Sequence, residues 1–169
     1  MTSSRLTRRL ILLGGLAATA ACASPDVQRR DNDMGSRAAF ASRDLPLYPN
    51  ETPQLRALIN RYADEYDMPV TLLHRVIIRE STHNPAARNG PYYGLMQILP
   101  QTARTMGFRG EPRDLLDAET NLKYAGKYLR GAWLVSDGSE ATAVGWYARG
   151  YYYEARRRGL LVETGLRSA

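Results

Sequence analysis

The sequence has one cysteine, two histidines and two phenylalanines in 169 residues. A single thiol excludes an internal disulfide framework, so apolar burial and hydrogen bonds must hold the fold. Two histidines without a further cluster of ligand-type residues give no pattern for a zinc site. His74 and His83 stand nine positions apart, which is half a turn out of phase on an ideal helix, so they are not expected to converge on a metal. No metal and no other cofactor is expected. Long hydrophobic runs are also missing: the apolar stretch Leu10 to Leu16 is far shorter than the roughly 20 residues that cross a bilayer. The formal net charge is only +6, and Arg5, Arg8 and Arg9 supply half of it. What remains is too small an excess to point to nucleic acid, and Arg156, Arg157 and Arg158 read as a solvated basic face. The chemistry must therefore come from carboxylates, hydroxyls or amides.

What is present begins with a basic stretch, a short apolar run and the small residues Ala17 to Ala21, the three-part plan of an export signal. Residues 1–21 are expected to be that signal, and the protein is expected to leave the cytoplasm for the periplasm. The lone Cys22 follows Ala20 and Ala21, which resembles a bacterial lipoprotein signal in which the thiol is lipidated and anchors the chain to a membrane. Thr19 stands where such signals usually carry an aliphatic residue. Residues 22–50 are polar, broken by Pro25 and Gly35, and show neither helical nor strand periodicity. They read as a flexible tether to a domain over residues 51–160, with 161–169 as a C-terminal tail.

The domain pattern is helical. Thr52 and Pro53 supply a cap and a first-turn proline for a helix bearing Leu55, Leu58, Ile59, Tyr62 and Tyr66. Pro69 opens a second, striped by Leu73, Val76 and Ile77. A short third runs from Pro100 to Met106 and stops at Gly107. Asp117 caps a fourth with Leu122, Ala125, Leu129 and Ala132 on its inner face, and Ser139 caps a fifth with Ala141, Val144 and Ala148. No alternating run with a hairpin turn is evident, so the fold class is all-α, and a monomer is expected.

One acid sits on the wrong face. The helical step from Leu73, Val76 and Ile77 lands on Glu80, which places a carboxyl with the apolar stripe instead of with water. Burial and the partial negative charge at a helix C-terminus both disfavour its ionised form. A carboxyl that keeps its proton near neutral pH is what general acid catalysis requires. Asp114, Asp117 and Glu119 form the nearest acidic group, but their place before a helix suits capping.

Glu80-Ser81, Asn84-Pro85, Gly94-Leu95-Met96-Gln97, Pro100, Thr102-Ala103, Tyr147 and Gly150 follow one another in an order that resembles the catalytic domain of the soluble lytic transglycosylases. These are lysozyme-like enzymes that cleave peptidoglycan. The spellings Gly90 to Gln97 and Tyr147 to Tyr153 are similar to an alphaproteobacterial branch. The resemblance implies a lysozyme-like helical fold, peptidoglycan glycan strands as partner, and Glu80 as the single catalytic acid and base. It further implies that Ser81, Tyr93, Gly94, Gln97, Thr102 and Tyr147 line the substrate cleft, with the Tyr147 hydroxyl orienting Glu80. The family's usual Tyr-Asn-Ala-Gly is Tyr147-Ala148-Arg149-Gly150 here, so the asparagine is absent.

Overall fold

The computed structural model describes residues 46–168, so the expected export signal, Cys22 and most of the expected tether lie outside the described residues. Six α-helices are present among them: α1 (Pro53–Glu65), α2 (Val70–Ser81), α3 (Pro100–Thr105), α4 (Ala118–Leu134), α5 (Glu140–Arg149) and α6 (Tyr152–Arg158). Three expected caps form as their chemistry dictates. Thr52, Asp117 and Ser139 each accept a hydrogen bond from the backbone N–H three residues on, which satisfies a donor the helix cannot. Asp114 plays the same part for a 3-10 turn at Pro112–Leu116, accepting from the Glu111 N–H at 2.8 Å, and Glu119 pairs with Arg61.

α4 is the central element and packs on α1, α3, α5 and the 3-10 turn, while α2 lies against α1 and α5. Ile59, Leu73, Ile77, Leu122 and Leu129 are fully buried where these helices meet. Burying side chains of this size contributes about 1.5–3 kcal/mol each. Gly131 has no Cβ, and one placed there would overlap the Tyr151 ring. That gap lets Tyr151 lie against α4 and donate its hydroxyl proton to the Tyr128 carbonyl at 2.8 Å, which docks the start of α6.

Several expectations need correction. A two-stranded antiparallel hairpin, β1 (Arg88–Asn89) and β2 (Tyr92–Tyr93), turns through Gly90 and Pro91; strands of two residues are too short to show alternation. α5 is rotated from the expected face: Ala143 is buried, whereas Ala141 and Ala148 are exposed. Small residues carry little directional information, and Tyr147, four residues beyond Ala143, marks the true inner face. The C-terminal residues do not hang free as a tail. Leu161 and Thr164 are buried, and the Thr164 hydroxyl donates to the Leu160 carbonyl at 2.7 Å. The fold also starts before residue 51, because the Pro46 carbonyl accepts from Arg56 and Tyr48 packs on two histidine rings. No helix among the described residues is long and apolar enough to cross a membrane.

Candidate active site

Glu80 occupies the last turn of α2, one residue before its end. Its side chain is 24% exposed, at the mouth between core and solvent. Burial raises its pKa above the ordinary carboxylate value, and the Arg79 guanidinium, with Nε 3.5 Å from Oε1, pulls weakly the other way. Arg79 is itself more than half exposed, so water screens its effect and burial wins. The carboxyl thus belongs to a class of groups that cluster where catalysis occurs.

Facing this helix end is the loop Tyr93–Ile98, and Ser81 and Tyr147, two of the other expected cleft residues, converge on it. Ser81 donates its hydroxyl proton to the Leu95 carbonyl at 2.7 Å. Tyr147 donates to the Met96 carbonyl at 2.8 Å, not to Glu80 as expected. Burial holds the Tyr147 phenol well above its usual pKa and the Glu80 charge adds to that, so the two groups are electrostatic neighbours without sharing a proton. Gln97 turns back on its own loop, with Nε2 donating to the Gly94 carbonyl at 2.8 Å and to the Ala87 carbonyl at 3.1 Å. Two carbonyl partners fix the amide orientation and leave Oε1 as the atom that can accept from a ligand. Gln97 has a φ of +47°, an unfavourable value for a residue with a Cβ, held here by these bonds.

Gly94 is the one position in this loop where only glycine fits. Its φ is +75°, and a Cβ there would collide with the Leu115 carbonyl and the Asn121 side chain. Gly94 is buried, so its part is to bring the loop against α4. The Tyr93 ring lies half-buried under the Arg88 guanidinium, whose Cζ is 4.8 Å from the ring centre. Thr102 is half-buried on α3.

Sequence reasoning missed Asn121. This residue is fully buried inside α4. Its Oδ1 accepts the Met96 N–H at 3.0 Å, and its Nδ2 donates to the Tyr93 and Leu115 carbonyls at 2.9 and 2.8 Å. One amide therefore pins the loop at two points and the 3-10 turn at a third. The signal was present in the sequence: position 121 is four residues before Ala125 and eight before Leu129, on the inner stripe, where an uncompensated polar group is costly. Tyr147→Phe would leave the Met96 carbonyl without its phenol donor. We expect a loss of about 1–2 kcal/mol in thermal or denaturant unfolding, with the alkaline midpoint of activity unmoved because that hydroxyl is not bonded to Glu80.

The histidine expectation also fails. His74 Nδ1 and His83 Nε2 are 3.0 Å apart and both rings are buried. The helical phase argument stops at Thr82, which adopts φ +50° as the cap of α2; His83 follows at φ +60°, and the reversal swings its ring inward. Glu51 joins them, with ligand-type atoms of all three within 4.8 Å of one another. This is where ligand-type side chains gather among the described residues. However, Arg56 grips Glu51 in a two-point ion pair, Nε and Nη2 each at 2.6 Å, and the Tyr48 N–H takes a further contact at 2.9 Å. The fixed guanidinium charge opposes a second cation, so the donor set does not fit a divalent metal.

A small, mostly helical body, with one half-buried carboxyl at a helix end facing a loop that glycine lets pack on α4, is of the lysozyme-like class. A family model described as the transglycosylase SLT domain matches residues 57–158, more than half of the chain, and the chain belongs to that family. No solved structure matches it. Membership makes it a transglycosylase-type enzyme whose substrate is peptidoglycan.

Proposed function

We propose that the protein is a lytic transglycosylase that cleaves the β-1,4 bond between N-acetylmuramic acid and N-acetylglucosamine without water, with Glu80 as the only general acid and base. The observation that carries this reading is the half-buried Glu80 carboxyl with a raised pKa beside the Gln97 loop. Glu80 gives its proton to the bridging oxygen as the bond from the muramic anomeric carbon breaks. The resulting carboxylate takes the proton of the muramic 6-hydroxyl, whose oxygen bonds to the same carbon and closes a 1,6-anhydro ring. The proton returns to Glu80, so one carboxyl completes the cycle.

Ordinary glycosidases use two carboxyls. Here Asp114 and Asp117 are spent on capping, and Glu140 is held by the Thr71 hydroxyl and Arg75. Arg75 stands five residues before Glu80 on α2, about 7.5 Å along the axis at 1.5 Å per residue. The Gln97 Oε1 suits the N–H of an acetamido group, and the Tyr93 ring offers an apolar face to a sugar. Ser81 and Tyr147 act on the loop, since their hydroxyl protons are committed to its carbonyls. In the same reading the chain is exported to the periplasm, held at a membrane by a lipid on Cys22 and works as a monomer.

Digestion of purified sacculi followed by mass spectrometry tests this. The expected muropeptides end in anhydro sugar and are one water lighter than hydrolytic products; reducing ends would make the enzyme a muramidase. Because the protonated acid is the active form, and its pKa is raised, the Glu80 titration by itself leaves activity full below the shifted value and removes it as pH rises through that value. The alkaline midpoint of kcat/KM is expected clearly above the ~4.3 of a free glutamate. A midpoint at the free value would place Glu80 in bulk water.

A further inference from the structure

The buried cluster beneath the end of α2 has no place in the reaction as described, yet it is built around the residues that follow Glu80. His83 is three positions after the acid and fully buried. The Tyr48 ring stacks on it with centroids 5.1 Å apart and planes 8° from parallel, and also lies 4.9 Å from His74. Asn50 donates to the Thr82 carbonyl at 3.0 Å, closing the cap from the same N-terminal segment. The end of α2 is thus clamped by residues 48–51 on one side and by His74 from within.

The inter-ring contact needs one proton. With His83 Nε2–H donating to His74 Nδ1, the His74 Nε2–H faces Glu51 Oε1 at 4.0 Å, and the charges of Glu51 and Arg56 cancel. The opposite arrangement would aim a bare His74 nitrogen at the carboxylate. In the favoured arrangement His83 Nδ1 is a bare, buried nitrogen with no partner. A proton added there creates a buried charge with no hydrogen-bond partner, whose desolvation outweighs the attraction of Glu51, and a second one would set two N–H groups against each other across 3.0 Å. The groups that face the pair are Tyr48 and Glu51 from the N-terminal segment and Arg56 from α1. Glu51 is the one anion among them and is engaged by Arg56 and the Tyr48 N–H, and no group is hydrogen-bonded to His83 Nδ1.

We propose that His74 and His83 are positioning residues for Glu80: a proton-sharing imidazole pair that locks the C-terminal end of α2 while neutral and releases it when it takes up further protons. Burial pushes His74 down to about 4 despite the nearby Glu51 charge, and lowers His83 as well. Since both folded values lie below the unfolded one, near 6.5, the lock's stability is fully present above that pH and is lost as pH falls toward the folded values. This deepens the Glu80 reading by giving the enzyme an acid limit, and it rests on that reading only for its effect on activity.

The test has an arm that needs no turnover. NMR titration of the purified protein follows both imidazole rings, and each is expected to titrate below 6.5 while the fold persists, with His74 down at about 4. The unfolding constant is expected to rise on acidification below about pH 6.5, with about 100-fold per pH unit as the ceiling reached where both rings are charged in the unfolded chain and neutral in the folded one. The double variant His74→Asn, His83→Gln places an amide at each ring-nitrogen position and has no basic nitrogen. It is expected to lose most of that slope, and its ratio of activity at pH 5 to activity at pH 7 is expected to exceed the wild-type ratio. Rings that titrate near 6.5 in the folded protein overturn the proposal, as does a variant that keeps the wild-type acid slope. So does zinc that raises the melting temperature and perturbs both rings, which would make the cluster a metal site. If the variant does not fold, the wild-type titration decides. Absence of turnover with the expected titration would refute the Glu80 reading and leave the lock standing.

Discussion

Glu80→Gln is expected to reduce muropeptide release from sacculi by about 10²- to 10⁴-fold, the range general acid–base catalysis supplies, with the fold intact. The amide keeps the size and position of the carboxyl but has no proton to give to the leaving oxygen. Stability should hardly change, and the physical reason is specific. Burial already disfavours the ionised carboxyl at this site, so a neutral amide removes a mild penalty at neutral pH. The melting temperature at pH 7 is therefore expected to stay the same or rise by a degree or two. Release rates and thermal melts of the same preparation check both halves. A folded variant that keeps more than about a tenth of wild-type turnover moves the acid to another residue, and one that unfolds contradicts the stability half.

Asn121→Ala is expected to have the largest effect on stability. It strips the buried Met96 N–H and the Leu115 carbonyl of their amide partner, takes one donor from the Tyr93 carbonyl and leaves a cavity in α4. Each orphaned buried group costs about 1–3 kcal/mol, so a combined loss of about 3–5 kcal/mol is expected, a large share of the ~5–15 kcal/mol that holds a domain together. The midpoint of thermal unfolding should drop by at least about 10 °C. Turnover should fall more than stability alone predicts at a temperature where the variant is folded, since the Gln97 loop loses its anchor. An unchanged melting temperature would mean that the loop is fixed by Ser81, Tyr147 and Gln97 without α4.

The parts of this molecule that were legible in advance are those governed by local rules. The caps at Thr52, Asp117 and Ser139 need only a short side chain with an oxygen and an N–H three residues away. Glu80 was found because Leu73, Val76 and Ile77 set a helical phase that holds through position 80. The same reasoning failed for His83, because Thr82 and His83 itself both adopt positive φ beyond the helix end and no periodicity describes them. The Tyr147 hydroxyl was aimed at the wrong acceptor for a related reason. A sequence shows that a phenol needs a partner, but the choice between a carboxyl and the Met96 carbonyl depends on how α5 is rotated, and its alanines did not reveal that.

Ser81, Gly94, Gln97 and Tyr147 were grouped by resemblance as residues that meet substrate. The structure gathers them around one loop and gives each a bond or a close contact within the protein. Much of the motif is thus explained by the need to hold the six residues Tyr93–Ile98 beside Glu80, with the side-chain Oε1 of Gln97 left without a hydrogen bond within the protein. Asn121 belongs to that set on physical grounds, although it lies far away in the chain. The basic run near the C-terminus is similarly accounted for within the fold, since Arg157 and Arg158 pair with Glu154, and Arg158 also with Asp137.

The claim that a single carboxyl suffices can be put to isotopic water. Sacculi digested in water enriched in oxygen-18 should yield muropeptides with no heavy oxygen at the muramic anomeric carbon, because the oxygen that bonds there comes from the sugar's own 6-hydroxyl. Heavy oxygen at that carbon would show that water attacked, and the account given for Glu80 would be wrong.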